Sequence, residues 1–351
     1  MSPRVRGLAS RSLRDDDSST FDRPRRTRPR TKDRPDFSQL PLGRVITVDR
    51  GRYLCSLVSD SGGPVTPPIQ VRAAKARTLG RKAAIVGDVV RLDGDVTGEE
   101  GTLARIVEVT ERTTVLRRTA DDDDPYERPI VANADQLMIV TALADPPPRM
   151  GMIDRILVAA YDAGITPILC LTKADLASPD ALVAAYEPLD VPVVVVEPGS
   201  DLGRVRALLE HHVTVLVGHS GVGKSTLVNA LIPGAGRSVG VVNDVTGRGR
   251  HTSTSAIALE LPGIGDEDSG GWVIDTPGVR SFGLSHVKPE TVLAAFPDLA
   301  GYTEDCPRGC PHTSTAQECG LDAAVERGDL PASRLESFRR MERAGREEQG
   351  R

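Results

Sequence analysis

The stretch VTVLVGHSGVGKSTLVNAL, Val213–Leu231, reads as a strand, a glycine-rich loop and a helix in direct succession. The G-x-x-x-x-G-K-[ST] pattern therefore falls where its chemistry needs it. Gly218, Gly221 and Gly223 let backbone N–H groups turn around phosphate oxygens, and the following helix adds the positive end of its dipole. In this reading Lys224 reaches the β- and γ-phosphates and Ser225 ligates the Mg²⁺ that travels with the nucleotide. His219, Ser220, Val222 and Thr226 complete the nucleotide-binding loop.

About fifty residues further on, GWVIDTPGVRSFGL carries an apolar strand into Asp275-Thr276-Pro277-Gly278, a D-x-x-G form. Asp275 would hold Mg²⁺ through water, and the Gly278 N–H would sense the γ-phosphate. Read alone, DTPG is an Asp-Pro-Gly turn. Its position downstream of a phosphate loop favours the switch.

Upstream lies LTKADL, Leu171–Leu176, at the carboxyl end of another apolar run. Asp175 can accept from both N1–H and N2–H₂ of guanine, a donor pair adenine lacks, and the Lys173 stem can lie over the base. Thr172 stands where guanine-reading loops usually place Asn, and Ala174 completes the motif. The bland alternative is a solvated helix start after a strand. Loops at the carboxyl ends of α/β strands are, however, where such sheets bind ligands.

A base-reading loop ahead of the phosphate loop reverses the usual order. Cyclic permutation reconciles the two, because it preserves contacts between strands and changes only where the chain is cut. The apolar runs DQLMIVTAL, TPILCLT and VPVVVVE alternate with helical stretches such as Met150–Ala163 and Leu202–Glu210. That pattern predicts a mostly parallel sheet covered on both faces.

Ahead of this domain, GRVITVDRGRYLCSLVS, IQVRAAKA, IVGDVVRL and GTLARIVEVTER read as short strands separated by Gly, Asp and Pro turns. They predict a small all-β barrel over residues 41–118, of OB type, with an SH3-like barrel giving a similar pattern. Tyr53 is its one aromatic residue, so base stacking has little to draw on. The run Asp121–Asp124 with Pro125 reads as a charged linker.

With 351 residues the chain is long enough for two or three domains. It holds 39% hydrophobic, 26% charged and only 3% aromatic residues, so Val, Leu, Ile and Ala must fill the cores. No apolar run reaches 18 residues and no signal-type apolar region follows the N-terminal arginines. We therefore expect a cytoplasmic protein with no membrane partner. The net charge of −5 hides an asymmetry: residues 1–40 hold eleven Lys/Arg against six Asp/Glu. Their segment RPRRTRPRTK is too rich in Pro and Arg to bury a core and reads as a disordered arm, either a solubilising tail or a contact to nucleic acid.

DCPRGCPHTSTAQECG offers Cys306, Cys310, His312 and Cys319 within fourteen residues. Three thiolates and an imidazole suit one structural Zn²⁺ in tetrahedral coordination. A disulfide is disfavoured in the cytosol. Cys55 and Cys170, inside apolar strands, read as core residues.

Taken together, the permuted motif order, GHSGVGKST, GRGRHTST (Gly247–Thr254), DTPGVRSFGL, IVGDVV in the barrel and PIVANADQ before the sheet closely resemble the circularly permuted ribosome small subunit-dependent GTPase A family. The resemblance runs from Leu42 to about Val325. It implies an OB fold, a permuted P-loop GTPase domain over 125–298 and a C-terminal zinc-binding helical module over 299–351. It also implies a role in late maturation of the small ribosomal subunit, with that subunit and its rRNA as partners of a monomer that cycles between GTP and GDP. The cysteine spacing C-x3-C-x-H differs by one residue from the C-x4-C-x-H usual in that family. Val279 follows the D-x-x-G motif where many GTPases carry a water-orienting Gln, and valine cannot hydrogen-bond water. His251 is the internal candidate for that task, a role the resemblance also implies, and Thr252, ahead of Thr254, is the expected switch ligand to Mg²⁺. Two other functional classes stay in view: an ATP-dependent phosphotransferase, and an RNA-binding assembly factor with weak hydrolysis.

Overall fold

The computed structural model describes residues 36–80, 84–119, 127–235, 256–263, 270–277, 289–294, 296–314 and 316–349. The arm before residue 36, the Asp121–Asp124 linker with Pro125, and His251, Thr252, Gly278 and Val279 lie outside the described residues.

Five strands make the barrel: β1 (Leu42–Asp49), β2 (Arg52–Val58), β3 (Gln70–Lys75), β4 (Val89–Asp93) and β5 (Ala104–Val109). Their order is β1-β2-β3-β5-β4, closed where Leu42 and Arg44 of β1 pair with Arg91 and Val89 of β4. Alternation puts Val45, Cys55, Val71, Ala73 and Ile106 inside, all fully buried. Tyr53 points inward with them, so the barrel presents no aromatic side chain for stacking. The next strand, β6 (Val115–Thr119), pairs with β7 (Glu127–Ala132) as a separate hairpin.

The barrel meets the rest of the molecule through the IVGDVV segment. Gly87 has φ +89°, and a Cβ there would lie 2.1 Å from the Ala132 carbonyl oxygen. Its own carbonyl accepts from Arg44 Nη1 at 3.2 Å and from Asn133 Nδ2 at 3.1 Å. Arg44 is buried, stacks 5.4 Å from the Trp272 ring centre, and burial lowers its pKa to about 10. Beside it Asp88, fully buried, is held by Arg112 at 2.7 Å. Sequence pattern located this segment without showing that it is a joint.

Six strands form the second sheet: β8 (Gln136–Ala142), β9 (Thr166–Thr172), β10 (Val193–Val196), β11 (His212–Val217), β12 (Ile257–Leu261) and β13 (Gly271–Asp275), in the order β10-β9-β8-β11-β13-β12. All neighbours are parallel except β12 against β13. Every residue of β8 is buried. Leu137 and Ile139 face a core shared with α1 (Met150–Asp162), while Met138 and Val140 face α3 (Gly203–Leu209) and α4 (Lys224–Leu231). Burial of both faces explains why these strands read as continuous apolar runs rather than alternating ones. In α1 the buried Ile153, Ile156, Leu157 and Ala160 recur at helical spacing and define one face.

The strand leading to the phosphate loop is central in this sheet but fourth of its strands in chain order. The order expected from permutation is thus the order observed. Two further helices complete this layer: α2 (Asp180–Tyr186), after the base-reading loop, and α5 (Pro289–Ala294). The chain then runs through α6 (Pro297–Thr303) and the cysteine-rich segment to α7 (Gly320–Arg327) and α8 (Ala332–Gln349). Leu335, Phe338 and Met341 bury one stripe of α8, with Phe338 edge-on to Phe296 at 5.4 Å.

Candidate functional site

The carboxyl ends of β8, β9, β10, β11 and β13 lie side by side, and the loops leaving them carry the motif residues. At the end of β11, a Cβ on Gly218 would stand 2.3 Å from the Val140 carbonyl oxygen, so only glycine lets the loop start there. Gly221 and Gly223 turn it with φ of +83° and +88°, and α4 begins at Lys224. Positive φ at these positions is what glycine permits without a Cβ clash.

Lys224 is buried, and its Nζ lies 3.0 Å from Asp275 Oδ1 at the end of β13. The same ammonium donates to the Thr276 carbonyl, and the Thr276 hydroxyl donates to Leu216 O at 2.7 Å. The phosphate-loop lysine and the DTPG aspartate, 51 positions apart, therefore share one buried pocket of charge. Carboxylate and hydroxyl oxygens, here Asp275 and Ser225, are the donor types a hard cation such as Mg²⁺ takes.

On the base side, the Thr172 hydroxyl donates to Val222 O at 2.6 Å and lies 3.2 Å from Thr141 O. Thr172 is thus turned into the protein and clasps the phosphate loop. Lys173 adopts φ +57° and donates from Nζ to the Asp145 carbonyl, while Asp175 is exposed. Pro146, next in that β8 loop, packs 3.7 Å from where a Cβ on Gly221 would be. Base-reading and phosphate loops thus meet through Thr172 and through the segment Leu143–Arg149.

One neighbour of the base-reading loop was not read from the sequence. The turn Glu197–Ser200 leaves β10 where Val196 pairs with Thr172, and Ala174 N donates to Val196 O at 3.4 Å. Gly199 has φ +78°, and Ser200 Oγ donates to Glu197 O at 2.9 Å. The Pro-Gly-Ser signal was visible, but only the register of β10 on β9 brings the strand that it leaves beside Thr172 and Ala174.

At the other end of the chain, one ligand atom each from Cys306, Cys310, His312 and Cys319 lies within 4.8 Å of every other. Cys306 Sγ accepts from Gly320 N at 3.1 Å, and a Cβ on Gly320 would come 2.3 Å from Tyr302 O. All three cysteines are free thiols. Burial pushes the Cys319 thiol up to about 11, so a thiolate there needs a cation beside it. Three sulfurs and an imidazole at this spacing fit a zinc ion in four-coordinate geometry. Behind them Arg339 Nε donates to His312 O at 3.0 Å, and its Nη1 and Nη2 bind Asp322 at 2.8 and 2.7 Å. Arginine as a brace for the ligand loop had no sequence signal, because its partners come from two other segments, the loop at His312 and helix α7 at Asp322.

Fold and loops together define a P-loop α/β protein with permuted strand order. A family model described as RsgA GTPase matches residues 109–285. The "Small ribosomal subunit biogenesis GTPase RsgA" of Pseudomonas aeruginosa (strain UCBPP-PA14) is 42% identical over 221 residues, 60% of this chain and 63% of that protein. Its namesake from Pseudomonas syringae pv. syringae (strain B728a) is 39% identical over 251 residues, 69% of this chain and 70% of that one. Two solved structures share the fold at 24% identity and a TM-score of 0.61: YloQ, described as a circularly permuted GTPase, over 88% of this chain and 96% of that one, and YjeQ from Thermotoga maritima, over 87% and 98%. The chain belongs to the RsgA GTPase family. It spans about 63% of the length of the first curated relatives it matches.

Proposed function

We propose that this chain hydrolyses GTP to GDP and phosphate, and does so as an assembly factor bound to the small ribosomal subunit and its rRNA. The observation that carries the nucleotide reading is the 2.6 Å bond from Thr172 to Val222, which joins the base-reading and phosphate loops into one site. The ribosomal part rests on relatives whose names state small-subunit biogenesis.

In this reading Asp175 selects guanine, Gly218 to Thr226 cradle the phosphates, and Lys224 moves from Asp275 and Thr276 towards the β- and γ-phosphates. Ser225 and Asp275 would hold Mg²⁺, which offsets phosphate charge when bound. Thr252, Gly278 and His251 retain the roles read from sequence: cation ligand, γ-phosphate sensor and water-orienting group. Because Val279 cannot orient water, turnover of the isolated protein is slow and the subunit accelerates it. The zinc-binding module over 299–351 and the barrel over 41–118 flank the GTPase domain, 125–298, and the arm, 1–40, adds positive charge for rRNA. The protein works as a cytoplasmic monomer. No helix among the described residues is long and apolar enough to cross a membrane.

The test is hydrolysis of GTP and of ATP with and without purified small subunits, with Lys224→Ala as the blank. GTP-specific turnover that rises with subunits is expected. Turnover of ATP at an equal rate, or none at all despite tight RNA binding, would overturn the reading and leave a phosphotransferase or a binding factor.

A further inference from the structure

Helix α8 carries two successive arginines that grip different parts of the molecule. Arg339 braces the metal-ligand loop at His312 and Asp322, as described above. Its neighbour Arg340 reaches the opposite way and donates from Nε to Asp154 Oδ2 at 2.9 Å and from Nη2 to Ala185 O at 3.3 Å. Asp154, on α1, is 1% exposed, and its other oxygen accepts from the Tyr186 hydroxyl at 3.0 Å. The Arg340 guanidinium lies 5.1 Å from the Tyr186 ring centre. Burial raises the Asp154 pKa despite these partners, as expected of a carboxylate taken out of water.

What α1 and α2 carry gives this cluster its meaning. The loop entering α1 supplies Asp145, whose carbonyl holds Lys173, and Pro146, which packs near Gly221. Tyr186 closes α2, the helix that follows Asp175. One arginine of the C-terminal module therefore ties together the two helices behind the base-reading loops. A planar guanidinium suits this task, since it bonds a carboxylate and a carbonyl at once while stacking on a ring.

We propose that Arg340 and Asp154 are positioning residues that couple occupancy of the Cys306/Cys310/His312/Cys319 site to guanine nucleotide affinity. This rests on the reading of the loops around Thr172 and Lys224 as a guanine nucleotide site. Metal binding orders the ligand loop, the Arg339 brace fixes α8 against it, and Arg340 on the same rigid helix then holds α1 and α2 in register. Linkage makes the effect reciprocal: bound nucleotide tightens the hold on zinc by the same factor.

The experiment measures binding of a fluorescent N-methylanthraniloyl GDP to the full chain, zinc-loaded and after stripping with a chelator, with zinc content measured in parallel. Stripping is expected to weaken binding roughly five- to tenfold, at the low end of known couplings between sites. Arg340→Ala, still holding zinc, should bind as weakly as the stripped protein and respond less than about twofold to stripping, since the link is already cut. Arg340→Lys should not restore the coupling. Wild-type affinity in Arg340→Ala, or equal responses of both proteins to stripping, overturns the proposal. If Arg340→Ala does not fold by circular dichroism, Asp154→Asn keeps the size of the side chain and removes the charge that Arg340 binds. A reduced zinc response in that variant supports the link, and an unchanged one overturns it. Equal binding of the adenine analogue by the wild type would instead overturn the guanine reading and this link with it.

Discussion

The Thr172 hydroxyl, 2.6 Å from the Val222 carbonyl oxygen, fastens the base-reading loop to the phosphate loop although the two residues are 50 positions apart. Both residues are buried, so the bond is shielded from water. Thr172→Val keeps the shape and leaves the Val222 carbonyl without this donor, a loss of about 1–2 kcal/mol. Guanine nucleotide affinity should fall roughly 5- to 30-fold, and Thr172→Ser should recover most of it. Fluorescent nucleotide titration of the three proteins decides this, and equal affinities would refute the clasp.

Lys224 and Asp275 form a buried pair at 3.0 Å. Lys224→Ala should abolish hydrolysis and also lower stability by about 3 kcal/mol, because a buried carboxylate loses its cation. Adding Asp275→Asn should restore much of the stability but none of the activity. Denaturant unfolding of the single and double variants separates the two effects. Additive losses would show that the pair does not couple.

At the joint between barrel and hairpin, Gly87→Ala combines a positive φ with a Cβ 2.1 Å from a backbone oxygen. Neither group is a flexible side-chain end, so the backbone itself must move. A loss of about 2–4 kcal/mol is expected, against about 1–2 for Gly51→Ala, where φ is also positive but nothing lies within 4 Å. Thermal unfolding of the two variants gives the comparison.

Asp298 accepts from Arg334 Nε at 2.8 Å and Nη2 at 2.7 Å, and this bonding lowers its pKa below the usual carboxylate value. A depressed carboxylate stabilises the fold above its unfolded pKa and loses that contribution as pH falls through the folded one. Since Asp298 is about half exposed, solvent screening limits the gain to about 1 kcal/mol. Asp298→Asn should be less stable than wild type at pH 7, with the gap closing as acid protonates the carboxylate below its usual range. A gap that persists into acid would assign the effect to packing.

Much of the site was legible because its signals are local. Glycines at 218, 221 and 223, Lys224, Asp175 and the cysteine cluster each announce their chemistry within a few residues, and the apolar runs of β8 to β11 announce a buried sheet. Permutation, too, followed from motif order. Other features had no such signal. Thr172 was read at the Asn position of a base-reading loop; the bond of its hydroxyl to the phosphate loop had no local signal, because side-chain direction depends on where β11 lies relative to β9. The direction of Tyr53, the one aromatic residue of the barrel, was not readable until barrel closure fixed which face of β2 points inward.

Sequence by itself thus determined the inventory: which residues are able to bind phosphate, read guanine or hold zinc, and which segments must be strands. Tertiary structure alone decided the pairings. Lys224 with Asp275, Thr172 with Val222 and Arg340 with Asp154 join residues 50 or more positions apart. No local periodicity records such contacts, since each exists only once the strands and helices carrying the two partners have packed.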